Sequence, residues 1–454
     1  MAETQDERSP LLPDKKETIT PLPKLQLSLI CFLRVTEPIA FVVCFPFVNQ
    51  MLLDLGVVSD PKKAGFYAGL IESLFSVAQL LTVYHWGRMS DSIGRKPVVI
   101  IGCLGATVSG IAFGFSRSFV AMIATRTFAG LANGNVVIVK SMLAEITDDT
   151  NKSRAFGYFP LCYSLGTIIA SFIGGTLSNL GIKNPSMGKS YPWILTFPYL
   201  IPCIIASLFP LLSGILSFFL LNETLPKETK IKPISDPSIS IRQEEHHASA
   251  SELIKRSEVR MMLFNFGLLA LQATALVGLL PLYCFTPIFD GGLGFNETGI
   301  GEALSIRAIC TVFVQIFTFP WLQRKIGTIR LYKILSTMYI PCFLMLPILN
   351  ILARLDQGVL VWIGLFVSLL LGSIANMAFS CNLIMVNDLA PNRHSLGAIN
   401  GLAQVVASAM RAVGPGAAST LFALSVDRHA LGGNLIWAVL SFVAVLGAIA
   451  SLGL

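Results

Sequence analysis

Twelve stretches of this chain are apolar for about 20 residues or more, and that recurrence constrains its fold more than any single motif. A helix rises ~1.5 Å per residue, so each stretch can cross the ~30 Å hydrocarbon core of a bilayer. Hydrocarbon offers no partner to a free N–H or C=O, so stretches of this kind must be helices. They lie at roughly 27–52, 64–84, 97–115, 118–145, 155–180, 192–221, 259–289, 297–321, 330–352, 358–388, 395–424 and 432–454, numbered spans one to twelve. Several exceed the ~20-residue minimum and must tilt, kink or project past the lipid.

Composition excludes the other classes. A soluble chain carries about a quarter charged residues, whereas this one of 454 residues carries 13%. Its formal charge of +7 does not imply nucleic acid, because Lys and Arg sit in alternate short loops and form no continuous patch. With both termini cytoplasmic, the tail and inner loops hold about 20 of these cations, the outer loops about 7 and the spans about 6. The opposite orientation would reverse the first two counts. The nine cysteines all lie in apolar stretches without a Cys-x-x-Cys, and no histidines have ligand spacing. Neither disulfide, metal nor cofactor is therefore expected. No P-loop, His-Glu-x-x-His or Gly-x-Ser-x-Gly is present, which argues against an enzyme or an ATP-driven pump.

The one long polar connection divides the chain. A disordered cytoplasmic tail occupies 1–24, a first six-helix half 25–221, a cytoplasmic linker 222–258 and a second six-helix half 259–454. The end of the linker, 249–258, has the pattern of an amphipathic surface helix. No cleavable signal peptide precedes span one. In the tail, Glu7-Arg8-Ser9-Pro10-Leu11-Leu12 has the form of an acidic dileucine sorting signal, so the membrane is either plasma or vacuolar.

Between spans two and three runs His85-Trp86-Gly87-Arg88-Met89-Ser90-Asp91-Ser92-Ile93-Gly94-Arg95-Lys96-Pro97. A connection this short must turn sharply, for which Gly87 and Gly94 are suited. Asp91 is a lone anion among Arg88, Arg95 and Lys96, placed to meet the positive end of a helix dipole. The pattern Gly-x-x-x-Asp-x-x-Gly-Arg-Lys resembles the signature loop of the major facilitator superfamily, which latches two six-helix halves together on the cytoplasmic side. The resemblance implies an all-α membrane protein of twelve transmembrane helices. The halves also echo one another weakly: Trp321–Gly327 stands where the second half should repeat the loop, without the Asp.

Charges inside spans are candidates for function by default. Arg34 and Glu37 share one face of span one, beside Pro38, and read either as a cavity pair sensing substrate or proton or as a structural ion pair. In span four, Arg126 precedes a Gly130-x-x-x-Gly134 packing face and resembles the superfamily's span-four arginine. It either biases a nearby carboxylate such as Glu37 in proton coupling or only neutralises it, since arginine does not release a proton. Glu72 lies mid-span with Ser73, Ser76 and Gln79 and is a cavity candidate. Arg307 and Arg411 are further intramembrane charges, while Lys140 and Glu145 lie near a span end and read as structural.

Span five, with Gly166, Gly174 and Gly175, resembles the antiporter motif Gly-x-x-x-Gly-Pro-x-x-Gly-Gly, but Ala170-Ser171 replaces its Gly-Pro; a Gly414-Pro415 occurs instead in span eleven. Within the superfamily, Arg34–Ala40, Leu131–Asn135, Asn222–Pro226 and Arg411–Pro415 resemble the drug:proton antiporter and zinc-induced-facilitator-like branch. That resemblance implies a secondary transporter moving a small organic molecule by alternating access, as proton-coupled efflux or vacuolar sequestration. Its partners would be substrate, protons and lipid, and it would act as a monomer. A uniporter or importer of the same fold, or a non-transporting membrane sensor, stays open as an alternative.

Overall fold

The computed structural model describes residues 20–148, 151–225, 250–389 and 396–454. The dileucine pattern and most of the linker lie outside the described residues. Every element among the described residues is helical. Eleven helices are long and apolar enough to cross a membrane. The twelfth, Leu396–Asp427, is 32 residues long but rich in Gly, Ser and Ala, and it supplies span eleven. The fold is the twelve-helix bundle expected from the apolar runs.

Helix ends depart from the apolar boundaries in an instructive way. Span two runs as Pro61–Ile93, so residues 85–93 are helix rather than loop. Span three starts at Arg95, and the whole turn is made by Gly94 at φ 105° and ψ 156°. Polarity marks where a helix leaves lipid, not where its hydrogen bonds stop. Gly327 makes the same turn between spans eight and nine at φ 85° and ψ 157°. The echo suspected from the sequence is therefore present in the backbone although the Asp is missing.

Two spans are broken at matching places. Span four divides into Phe119–Ala132 and Asn135–Glu145, and span ten into Gly358–Asn376 and Ala378–Asp388. Span one, predicted as one run over 27–52, ends at Val42, and a separate short helix follows at Val48–Asp54. The linker end holds a six-residue helix, Ala250–Lys255, before span seven begins at Ser257.

Within the first six spans, one packs on five and six, three on six, and two on four. The two halves meet where span two lies along span eleven and span five along span eight. Small residues allow these approaches. A Cβ on Gly69 of span two would stand 3.2 Å from the Gly416 Cα of span eleven, and one on Gly175 of span five 2.9 Å from the Gly301 Cα of span eight.

Candidate functional site

At the signature-loop face, the turn is held by groups from three spans of the first half and from the start of the linker. The Glu223 carboxylate, just past span six, accepts from the Arg95 and Lys96 backbone N–H groups at 2.9 and 3.1 Å. It thus caps the start of span three, the role expected of Asp91. Asp91 instead sits on the last turn of span two, four residues before Arg95, and pairs with its guanidinium at 2.5 Å. Arg95 also reaches Glu145 of span four at 2.9 Å, and Thr224 donates to the other Glu145 oxygen at 2.5 Å. Burial pushes the Glu223 carboxyl up, but the N–H groups of Leu225, Arg95, Lys96 and Thr224 outweigh it and hold it below its ordinary value. Gly94 has both the positive φ and the closeness to Glu223 that exclude a side chain, whereas a Cβ on Gly87 would meet only Val137 at 3.9 Å.

Deeper in the protein, the predicted charges sort into two pairings. Arg34 is bonded to Glu37, one turn along span one. The Arg34 guanidinium also lies 4.5 Å from the Phe159 ring and 5.0 Å from the Tyr163 ring of span five. Arg126 is buried against Phe41, Phe75 and Phe113, with its guanidinium 5.1–5.8 Å from the three ring centroids. It donates to the Phe41 carbonyl at 3.0 Å and contacts the Cys44 sulfur. The carboxylate within its electrostatic reach is Glu72. Glu37 and Arg126 do share the wall of one cavity, with Thr36, Asn133 and Asn135.

Glu72 and Arg126 line a second cavity together with Gly278, Pro281, Leu282 and Ser419 of the second half. A Cβ on Gly278 would stand 3.2 Å from the Glu72 Oε2 and 2.9 Å from the Pro415 Cβ. Glu72 therefore lies at the seam between the halves.

The predicted small residues are at helix crossings. A Cβ on Gly130 would stand 2.3 Å from the Phe75 carbonyl of span two, and one on Gly134 would overlap the Trp86 ring. Gly166 and Gly174 abut the Val35 and Val43 carbonyls of span one, Gly175 faces span eight, and Gly414 faces Thr274 of span seven. The antiporter-like stripe of span five thus serves two neighbours, one in each half. Its proline is Pro160, earlier in the helix than the motif would have it.

One cluster escaped the sequence reading. At the face opposite the signature loop, Asn179 beyond span five donates to the Glu297 carboxylate at 2.7 Å and to the Tyr199 hydroxyl at 3.2 Å. Tyr199 in turn donates to Asp54, and Lys183 stands 3.8 Å from Glu297. Burial draws the Lys183 ammonium down against the pull of Glu297. Thr298 donates to the Gly175 carbonyl at 3.2 Å. Glu297 and Thr298 belong to span eight and the others to the first half, so the network ties the halves together at this face. The sequence shows these groups only as ordinary polar residues at span ends.

The profile described as Major Facilitator Superfamily matches residues 31–415. The chain is 30% identical to the efflux pump azaK of Aspergillus niger, over 96% of this chain and 92% of that one. It is 26% identical to Protein ZINC INDUCED FACILITATOR 1 of Arabidopsis thaliana, covering 94% of this chain and 90% of the relative. Among solved structures, a bacterial homolog of the human lysosomal transporter Spinster, inward-facing and unoccupied, superposes with a TM-score of 0.66 at 12% identity, over 96% of this chain and 99% of that one.

Proposed function

This chain belongs to the Major Facilitator Superfamily and is a transporter rather than an enzyme, and from that premise we propose that it exports a small organic molecule in exchange for protons, across the plasma membrane or into a vacuole. The efflux role in the name of the Aspergillus relative supports the direction. Alternating access requires the two six-span bodies to part at one face while they close at the other.

The observation that carries proton coupling is the position of Glu72. It belongs to the first body, yet the second body covers it through Gly278. Its cation, Arg126, is in its own body. Parting of the seam strips the cover and admits water while Arg126 stays in place, so the proton occupancy of Glu72 follows the conformation. Glu37 differs, because its partner Arg34 rides on the same helix and rocking leaves the pair intact. We assign Glu72 to the proton and the Arg34–Glu37 pair to the substrate.

Proteoliposomes loaded with fluorescent efflux probes such as rhodamine 6G and carboxyfluorescein test the assignment. Glu72→Gln should keep exchange without a gradient and lose accumulation driven by a pH gradient. Glu37→Gln should weaken exchange and keep the pH dependence of what remains. Unchanged pH-driven accumulation in Glu72→Gln would show that the proton travels elsewhere.

A further inference from the structure

Four cations gather between the halves, and among the described residues a carboxylate pairs with only one of them. Arg34 on span one is bonded to Glu37. Among the described residues, Lys140 on span four, Arg307 on span eight and Arg411 on span eleven have no salt-bridge partner. Lys140 is within electrostatic reach of Arg34 and Arg411. Tyr163 on span five is within reach of Arg34, Arg307 and Arg411.

Groups on five helices from both halves therefore face one another, which puts them on the space between the halves and not on lipid. Lys140 and Arg411 are solvent-accessible although protein surrounds them. Among the described residues, Arg411 donates to Ser408 Oγ on its own helix, at 3.1 Å, and Arg34 keeps a buried Nε without an acceptor.

Unpaired cations inside spans are expensive, and like charges in a partly desolvated cavity repel one another. Packing alone gives no reason to gather them. A bound anion would supply one, because guanidinium groups match the planar or branched oxygens of carboxylate and phosphate, and an ammonium adds a compact charge. We propose that the space these side chains face is the substrate site and that its substrate is an organic anion bearing a carboxylate or phosphate group, held by Arg34, Lys140, Arg307 and Arg411 with Tyr163 as a hydrogen-bond partner. The inference rests on the transport reading and adds the sign of the substrate's charge.

The full chain in lipid nanodiscs, titrated with carboxyfluorescein, citrate, inorganic phosphate and the cation rhodamine 6G, tests this by probe polarisation and thermal shift. At least one anion should bind more tightly than rhodamine 6G. Lys140→Gln and Arg411→Gln should each weaken that anion by on the order of tenfold, and Lys140→Arg and Arg411→Lys should restore most of it. Without ligand, the two Gln variants should melt no lower than the parent, because each removes repulsion; a structural ion pair would give the opposite. Anion binding that the Gln variants leave unchanged, or tighter binding of rhodamine 6G than of every anion, overturns the proposal. Vesicle flux separates the two readings. Carriage of rhodamine 6G with no anion binding overturns the charge assignment and keeps transport, whereas anion binding without flux of any probe supports the assignment and defeats transport.

Discussion

Substitution of Gly301 by Ala should open the protein at the face that carries Glu297. A Cβ there would stand 2.7 Å from the Ser171 carbonyl oxygen and 2.9 Å from the Gly175 Cα. Both are backbone atoms, so no rotamer change relieves the overlap. Ordinary contact begins at 3.4 Å, so spans five and eight would have to part by about 0.5–0.7 Å. Overpacking of this kind costs roughly 1–3 kcal/mol. The cost falls on the conformation in which the two spans touch. It therefore shifts the balance towards the open face by about 5- to 150-fold, at 1.4 kcal/mol per tenfold. A cysteine at Ser419, buried in the same seam, reports the change through labelling by a membrane-impermeant maleimide, measured above the background of the parent. Labelling should rise in Gly301→Ala and stay at the parental rate in Gly358→Ala, whose added Cβ meets nothing within 4 Å. Equal labelling in both variants, with Gly301→Ala folded and active, would refute the idea that this crossing exists in only one conformation.

Four further outcomes follow, two from the geometry and two from the sequence. Gly94→Ala combines a φ of +105° with a contact of 2.5 Å to the Glu223 carboxylate and should cost about 1–3 kcal/mol of thermal stability. Glu223→Gln should cost about 1 kcal/mol as a lost cap. Because Glu223 is held below its ordinary value, that difference in melting should be complete above about pH 5 and shrink as pH falls below ~4.3; a constant difference would remove the cap from the account. Single cysteines at Ser186 and Ser238 should label from opposite sides of the membrane, and same-side labelling would defeat the inside–outside assignment. Leu11→Ala with Leu12→Ala should move the protein from an internal membrane to the cell surface under fluorescence microscopy, and an unchanged location would exclude the dileucine reading.

The spans, the helical class and the family were legible because lipid imposes a one-dimensional rule: about 20 apolar residues in a row must be helix. Glycine at crossings was legible for a similar reason, since spacing along one helix already defines a face. Pairing was not. Asp91 looked like the anion for a helix start, yet Glu223, over a hundred residues away, occupies it. Arg34 and Glu37 are paired as their spacing on one helix indicated, but Arg126, whose nearby carboxylate looked like Glu37, stands in reach of Glu72. The tie from Glu297 to Asn179 joins residues that look unremarkable in their own segments. Apolar periodicity records which side of a helix meets lipid, whereas the choice of partner depends on how helices far apart in the chain rotate and cross. Electrostatic interaction falls off with distance in space and takes no account of separation in sequence, so the gathering of Arg34, Lys140, Arg307 and Arg411 emerges only once spans one, four, eight and eleven are packed side by side.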